Sequence, residues 1–252
     1  MPLALDDGIA ITYYTDPLCC WSWAMEPSIR KLQYCLKNQL QLRYCMGGLI
    51  PSWKNFNDPV NFVSRPIQMG PVWMHAAELT GMKIDSRLWF KDAPSSSYPA
   101  CIAYKCVELQ STELADIYLR LLREACMVEG INIACQSELI LIANRLSSYS
   151  TEFDVNSFKN DLHNGKGREA FRADLNEVKV NEIQRFPTWI FRRKGNDPVV
   201  ISGYQPFAAL LKIVLHLCPG IIWENESIHA DTFKDPWPFG FTQEEMREVL
   251  SS

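Results

Sequence analysis

Hydrophobic and polar positions change their spacing twice within the first fifty residues. Residues 9–14 (IAITYY) form a β-branched and aromatic run, which is typical of a buried strand. Residues 21–38 follow with helical spacing, and residues 39–46 (QLQLRYCM) then alternate polar and apolar side chains. This order predicts a strand, a helix and a second strand parallel to the first, with Pro27 kinking the helix or lying near its first turns.

The middle of the chain has a helical period. Apolar side chains recur at intervals of three and four residues in four stretches, with Gly, Pro and Ser at their joints. These stretches cover residues 71–79, 98–110, 113–127 and 136–146. We therefore predict that residues 61–164 form a helical subdomain.

Strand character returns late in the chain. A helical run over residues 167–180 precedes two short β runs, residues 188–191 (TWIF) and 198–202 (PVVIS). A turn containing Gly195 separates the two runs, which predicts a hairpin. Residues 205–217 then predict a last amphipathic helix. The tail beyond it is rich in Trp, Phe and Pro, and we expect it to wrap the surface or contact a partner.

Composition narrows the class of protein. The 252 residues are 47% hydrophobic, which excludes whole-chain disorder, and the net charge of −4 argues against nucleic-acid binding. No apolar run is long enough to span a membrane. Asp6 and Asp7 stand where a secretory signal would carry basic residues. We expect a soluble cytoplasmic protein that binds neither nucleic acid nor a membrane.

The cysteines and histidines do not predict a disulfide framework or a metal site. The nine cysteines are an odd number without a C-x-x-C motif, and the four histidines are isolated. Most cysteines stand in apolar surroundings, where a free thiol behaves as a small buried hydrophobe. This pattern fits a reducing compartment.

One segment carries candidate chemistry, the loop and helix start at residues 16–23 (DPLCCWSW). A thiol at Cys19 would face the unpaired N–H groups and the positive dipole end of the helix, which favour the thiolate. Such cysteines have pKa values of about 3.5–7.5, so Cys19 is the candidate nucleophile, with a buried structural thiol as the alternative. Cys20 would point about 100° away on the helix. Asp16 and Glu26 flank the site, either as proton relays or as surface and capping residues.

The second feature that indicates a site is a proline at the start of the first late strand. In Arg185-Phe186-Pro187-Thr188 the X-Pro bond can be cis, a weak signal alone. Together with the Cys19 segment it resembles the thioredoxin-like DsbA/FrnE family, and within it the branch that includes the adaptor of the Spx regulator. The similar stretches run in family order: residues 16–27 (DPLCCWSWAMEP), 95–110 (SSSYPACIAYKCVELQ), 129–143 (EGINIACQSELILIA), 168–191 (REAFRADLNEVKVNEIQRFPTWIF) and 202–214 (SGYQPFAALLKIV).

The resemblance implies an α/β protein with a thioredoxin fold and a helical insertion. It divides the chain into a discontinuous thioredoxin-like domain (residues 1–60 and 165–218), the insertion (61–164) and a tail (219–252).

The resemblance also implies site roles. Cys19 falls on the attacking cysteine, and Pro187 falls on the cis-proline that faces it. The backbone of Phe186 would pair with bound peptide or glutathione, and Trp21 and Thr188 complete the implied substrate-binding set.

Ser22 departs from the family pattern, because it stands where the family has its resolving cysteine. A second cysteine releases the first from its mixed disulfide, which a hydroxyl cannot do. The Ser22 hydroxyl can still donate a hydrogen bond to the Cys19 thiolate. Any thiol–disulfide exchange would therefore use Cys19 alone, and an external thiol would release Cys19 from its mixed disulfide. We expect no tightly bound cofactor, with glutathione as a candidate co-substrate.

Three functions remain open. The favoured one is a thiol–disulfide oxidoreductase or isomerase that acts through Cys19 on protein thiols, protein disulfides or glutathione. The second is a glutathione-dependent enzyme of the kappa-transferase or 2-hydroxychromene-2-carboxylate isomerase type, although those proteins have Ser at the position of Cys19. The third is a non-catalytic, protease-adaptor-like protein whose aromatic tail is the docking surface. A homodimer is compatible with each.

Overall fold

One four-stranded sheet forms the centre of the protein, for which a computed structural model describes residues 8–223 and 243–250. The strands are β1 (Ile9–Thr15), β2 (Leu40–Met46), β3 (Thr188–Arg192) and β4 (Val199–Ser202). Their order across the sheet is β2-β1-β3-β4. β1 and β2 are parallel, while β3 is antiparallel to both β1 and β4. The predicted parallel pair and hairpin are therefore both present.

Helices surround this sheet. They are α1 (Cys20–Ala24), α2 (Glu26–Leu36), α3 (Met69–Thr80), α4 (Leu88–Lys91), α5 (Tyr98–Glu108), α6 (Thr112–Met127), α7 (Gln136–Tyr149), α8 (Val155–Asn164), α9 (Lys166–Val180), α10 (Phe207–Leu217) and α11 (Gln243–Leu250). Short 3₁₀ turns cover Lys37–Gln39 and Pro66–Gln68. The four helices predicted in the middle of the chain are confirmed with shifted ends, whereas α4 and α8 carry too short or too polar a pattern to have been predicted individually.

The helix predicted over residues 21–38 is two helices. α1 ends at Met25, which is both the C-cap of α1 and the residue before α2. Pro27 lies in the first turn of α2, where its missing N–H leaves no helical hydrogen bond unmade. The prediction of a single helix over residues 21–38 was wrong, whereas the expectation that Pro27 lies near the first turns of a helix is confirmed.

The arrangement is the thioredoxin fold with a helical insertion that the resemblance implies. The strands lie at residues 9–46 and 188–202, and the named elements between residues 61 and 164 are all helical. The exact domain limits stay a prediction. Within the described residues, no helix is both long enough and apolar enough to cross a bilayer.

A close helix contact joins the insertion to the rest of the fold. A Cβ atom added at Gly167, in the first turn of α9, would lie 2.2 Å from the Cys106 Sγ atom and 2.9 Å from the Ile102 carbonyl oxygen on α5. Such distances are shorter than van der Waals contact, so only glycine lets α9 and α5 approach this closely.

The predicted surface tail is partly built into the protein. Residues 224–242 lie outside the described residues, but α11 packs against α2. Val249 of α11 contacts Cys35, and Glu245 is fully buried. The tail therefore contributes a helix that packs against α2 and buries Glu245 and Val249.

Candidate functional site

Cys19 lies in the turn between β1 and α1, as predicted, and is the N-cap residue of α1. Its φ of −80° and ψ of 107° are extended, and its carbonyl oxygen accepts a hydrogen bond from the Trp23 backbone N–H at 3.1 Å. The Cys19 N–H itself donates to the Asp16 carbonyl oxygen at 3.1 Å. The turn thus places the thiol at the start of the helix.

Asp16 holds this turn in place. Its carboxylate accepts hydrogen bonds from the backbone N–H of Leu18 at 2.9 Å and of Leu49 at 2.6 Å. It also accepts one from the Ser97 hydroxyl at 2.8 Å, next to the start of α5. Burial raises the Asp16 pKa, although these hydrogen bonds work to lower it. Of the two roles left open for Asp16, the structure favours the structural one.

The Phe186–Pro187 peptide bond is cis and faces the thiol. The Cys19 thiol donates to the Phe186 carbonyl oxygen, with 3.5 Å between Sγ and O. The Phe186 ring lies directly over Gly47, where an added Cβ atom would stand 2.1 Å from it. The structure therefore brings Cys19, Phe186 and Pro187 together and shows that Gly47 makes room for the ring.

Trp21 lies on α1, two residues after Cys19, and we use the name Cys19 groove for the surroundings of Cys19, Trp21, Phe186 and Pro187. The indole is half-buried and meets the exposed His75 edge to face, with 5.6 Å between ring centroids. The Tyr204 ring lies 6.4 Å away. Sequence reasoning assigned no role to His75 or Tyr204, because nothing along the chain indicates that α3 and the segment after β4 meet Trp21.

Ser22 and Thr188 are both too enclosed to meet a ligand without movement. Ser22 is fully buried on α1, with its hydroxyl next to the Cys19 thiol. Thr188 is 2% exposed; its hydroxyl donates to the Arg185 carbonyl oxygen at 2.7 Å and lies 2.7 Å from the Ser202 Oγ atom. The expectation that Thr188 contacts substrate is not supported by its side chain, which ties β3 to β4.

The Cys19 thiol is 4% exposed, and this burial raises its pKa. The Ser22 hydroxyl and backbone N–H would bond to a thiolate and work to lower the pKa, while the charge of Asp16 raises it. The prediction of a depressed pKa is wrong for this structure. The physical reason is desolvation, against which a helix of only five residues supplies a weak dipole.

A buried cluster of charged side chains lies at the start of α2, the helix that follows α1. The carboxylate of Glu26 pairs with Arg123, and it also accepts from Arg30 at 3.2 Å. Arg123 donates a second hydrogen bond to the Thr15 hydroxyl at 2.5 Å. Because these arginines already engage Glu26, the structure places it in a structural ion-pair cluster that the sequence did not reveal.

Comparisons with known proteins agree on the family. A family model described as Thioredoxin matches residues 13–212. The ClpXP adapter protein SpxH of Halalkalibacterium halodurans is 28% identical over 208 residues, which cover 82% of this chain and 66% of that protein. The chain thus spans slightly less than two thirds of the length of that relative.

Solved structures show the same fold. A putative protein disulfide isomerase from Nitrosomonas europaea superposes with a TM-score of 0.66 at 20% identity, covering 82% of this chain and 95% of that one. The cytosolic disulfide reductase DsbM from Pseudomonas aeruginosa superposes with a TM-score of 0.62 at 22% identity, covering 82% and 99%. At these identities the likeness concerns the fold alone.

Proposed function

We propose that this chain, which belongs to the thioredoxin family whose model matches residues 13–212, is an adaptor. It would bind a partner protein in the Cys19 groove and present that protein to a Clp-type protease. The observation that carries this proposal is the state of the thiol. Cys19 is 4% exposed, and its thiol donates a hydrogen bond to the Phe186 carbonyl oxygen. Ser22 stands where the family has its resolving cysteine. The site keeps the cis peptide bond before Pro187 but buries the thiol that would react beside it.

The relatives support the same role. The curated proteins that match over most of this chain, at 26–29% identity, carry the name ClpXP adapter protein SpxH. The match covers 66% of the H. halodurans relative, so the adaptor role of this chain is a proposal. We place this activity in the cytoplasm, where a reducing environment keeps all nine thiols free.

The groove provides a suitable recognition surface. The Trp21 indole is half-buried, and the Phe186 ring is half-buried over Gly47 beside the cis peptide bond. Large aromatic anchors of this kind contribute most of the binding free energy at protein interfaces. An extended partner segment would pass between them over Cys19.

Monothiol exchange is the second candidate, favoured by the position of Cys19 at the N-cap of α1 opposite Phe186. The Cys19 thiolate would attack one sulfur of a disulfide, forming a mixed disulfide and releasing the other sulfur as a thiolate. Glutathione thiolate would then attack the mixed disulfide, returning the Cys19 thiolate and leaving the substrate sulfur joined to glutathione. The DsbM reductase, which shares the fold, has also been solved with GSH. An enzyme of the kappa-transferase or isomerase type ranks lower, because Cys19 replaces its Ser.

A reconstituted degradation assay tests the proposal. The measured quantity is the rate at which purified ClpXP degrades the Spx regulator. It is compared for wild type, Cys19→Ser, Trp21→Ala and Phe90→Ala. Phe90 on α4 is the matched control, an aromatic residue that is 67% exposed and is not one of the residues that define the Cys19 groove. The adaptor role predicts faster degradation with wild type, Cys19→Ser and Phe90→Ala, and a loss of this acceleration with Trp21→Ala.

Two outcomes contradict the adaptor role. No acceleration by the wild-type chain would remove it. Loss of activity in Cys19→Ser, together with a stoichiometric glutathione adduct on Cys19 after glutathione disulfide treatment of the wild type, would move the conclusion to monothiol exchange.

A further inference from the structure

The outer side of α3 carries large apolar side chains that the fold leaves exposed. The inner side of this helix is buried in the protein through Met69, Trp73 and Ala76. On the outer side, Met74 is 61% exposed and Leu79 is 60% exposed. Since large apolar side chains are usually buried, two of them on the outer side of one helix of 12 residues indicate a surface that contacts another molecule.

These side chains belong to one face of the helix. Successive residues of a helix are rotated by about 100°, so residues that are four apart lie almost above one another. Pro71, His75 and Leu79 follow one such row, and Met74 and Glu78 follow the neighbouring row. All five residues are exposed, and we call them the α3 face. Because only His75 and Glu78 are polar, the α3 face is predominantly apolar.

The α3 face adjoins the Cys19 groove. The imidazole of His75 meets the Trp21 indole edge to face, with 5.6 Å between the ring centroids. Trp21 is one of the residues that define the groove, and its half-buried indole is shared by the two surfaces. A protein that binds in the groove against Trp21 therefore also meets α3.

Glu78 gives the α3 face a negative charge. Its side chain is exposed, and no cation pairs with it within residues 8–223 and 243–250. The helix itself (MGPVWMHAAELT) contains no lysine or arginine. Opposite charges across an interface steer the association of two proteins and fix their register. The α3 face is therefore complementary to a set of apolar side chains that has a lysine or arginine beside it.

We infer that the protein bound in the Cys19 groove extends onto the α3 face, an inference that rests on the proposed adaptor function. Apolar side chains of this partner cover Met74 and Leu79, and a lysine or arginine of the partner pairs with Glu78. The α3 face thus selects among partners, because a segment with a carboxylate at the position opposite Glu78 is repelled.

The test is isothermal titration of the Spx regulator, in excess reductant, into the full chain and its variants. Leu79→Ala removes apolar surface from the contact, and we expect a Kd about tenfold higher than that of wild type. Glu78→Lys places like charges opposite each other, and we expect a Kd about tenfold higher here as well. The Kd of Glu78→Gln should rise less than that of wild type when the salt concentration increases from about 0.05 M to about 0.5 M, because salt screens an exposed ion pair.

Each variant has a matched control on another helix. Leu141 on α7 is a leucine that is 56% exposed, and Glu169 on α9 is an exposed glutamate. Leu141→Ala and Glu169→Lys should keep the Kd of wild type. Phe90→Ala should keep it too, because the Phe90 ring lies against Gly70, which is rotated by about 140° from His75 in the middle of the α3 face.

The outcomes separate this inference from the proposed function. A wild-type chain that does not bind Spx removes the proposed function. Binding that is lost in Trp21→Ala, while Leu79→Ala and Glu78→Lys match their controls, overturns the inference alone. Two further results overturn it. A wild-type dimer in sedimentation equilibrium that Leu79→Ala dissociates assigns the α3 face to a second copy, and a melting temperature that falls in Leu79→Ala but not in Leu141→Ala assigns it to other residues of the same chain.

Discussion

The C-terminal helix α11 is anchored by an ion pair between Glu245 and Arg120. The two side chains form a fork in which the Nη2–Oε2 distance is 2.8 Å, and both are 1% exposed or less. Arg120 also donates to Glu124 at 2.8 Å, and its guanidinium carbon lies 4.4 Å from the centre of the Trp23 ring on α1. The pair therefore links the end of the chain to the helix that follows Cys19.

We predict that Glu245→Ala lowers the free energy of unfolding by about 3 kcal/mol. Removing one partner of a buried pair destabilises by about 3–5 kcal/mol, because the other charge stays buried and uncompensated. The lower end applies here, since Glu124 still contacts Arg120 and a terminal helix can detach to admit water. For a chain of this size the loss corresponds to a fall in Tm of about 6–12 °C.

Urea unfolding followed by tryptophan fluorescence measures the effect. Glu129→Ala is the matched control, because Glu129 pairs with Arg145 at 3.0 Å while the two side chains are 39% and 35% exposed. A surface pair of this kind contributes about 0.2–1 kcal/mol. Equal small losses in the two variants would refute the reasoning.

A double variant separates charge from packing. Arg120→Met combined with Glu245→Leu replaces the buried pair with apolar side chains of similar size, which is often neutral or stabilising. It should recover more than half of the loss seen in Glu245→Ala. A double variant as unstable as the single one would show that the loss does not come from the uncompensated Arg120 charge.

Three further predictions concern the thiols and one helix contact. Ser22→Cys should create insulin reduction in the presence of dithiothreitol, because residues 19 and 22 lie one helical turn apart and the new thiol can resolve a mixed disulfide on Cys19. Stability should fall as the pH rises above the ordinary cysteine pKa, since burial raises the pKa of Cys19 and of other thiols and the native state keeps protons that the unfolded chain loses. Denaturation at stepped pH should give a slope of about 1.4 kcal/mol per pH unit for each such thiol. Gly167→Ala should be destabilising by thermal melting, because its Cβ atom would meet Cys106 and the α5 backbone.

Each of these predictions has a control and a contradicting result. Ser22→Ala controls the insulin assay, and no gain in a folded Ser22→Cys would mean that residues 19 and 22 cannot close a disulfide here. A stability that rises between pH 8 and 10 would contradict the burial of the thiols. Gly220→Ala controls the helix contact, since nothing lies within 4 Å of a Cβ at Gly220, and equal melting temperatures for the two alanine variants would contradict it.

The sequence predicted most of what local pattern determines. Alternation in β2 and the β-branched run in β1 gave both strands to within one residue at each end, and the parallel pairing followed from the helices between them. The position of Cys19 at the start of a helix was also correct. These features depend on a few neighbouring residues, so they are visible in the chain itself.

What the sequence missed depends on contacts between distant segments. The raised pKa of Cys19 reflects the burial of its thiol, and periodicity carries no information on that burial. The seat of the Phe186 ring over Gly47 belongs to the same class, because it appears only when the loop after β2 meets the loop before β3. The Arg120–Glu245 pair joins residues 125 positions apart.

The proposed function requires the Cys19 groove to recognise a partner without thiol chemistry. Isothermal titration of Spx into wild type, Cys19→Ser and Trp21→Ala, all in excess reductant, tests it most directly. We expect the same Kd for wild type and Cys19→Ser, and a Kd about thirtyfold higher for Trp21→Ala, which corresponds to the loss of about 2 kcal/mol at a hot-spot tryptophan. Loss of binding in Cys19→Ser, or full binding by Trp21→Ala, would contradict it.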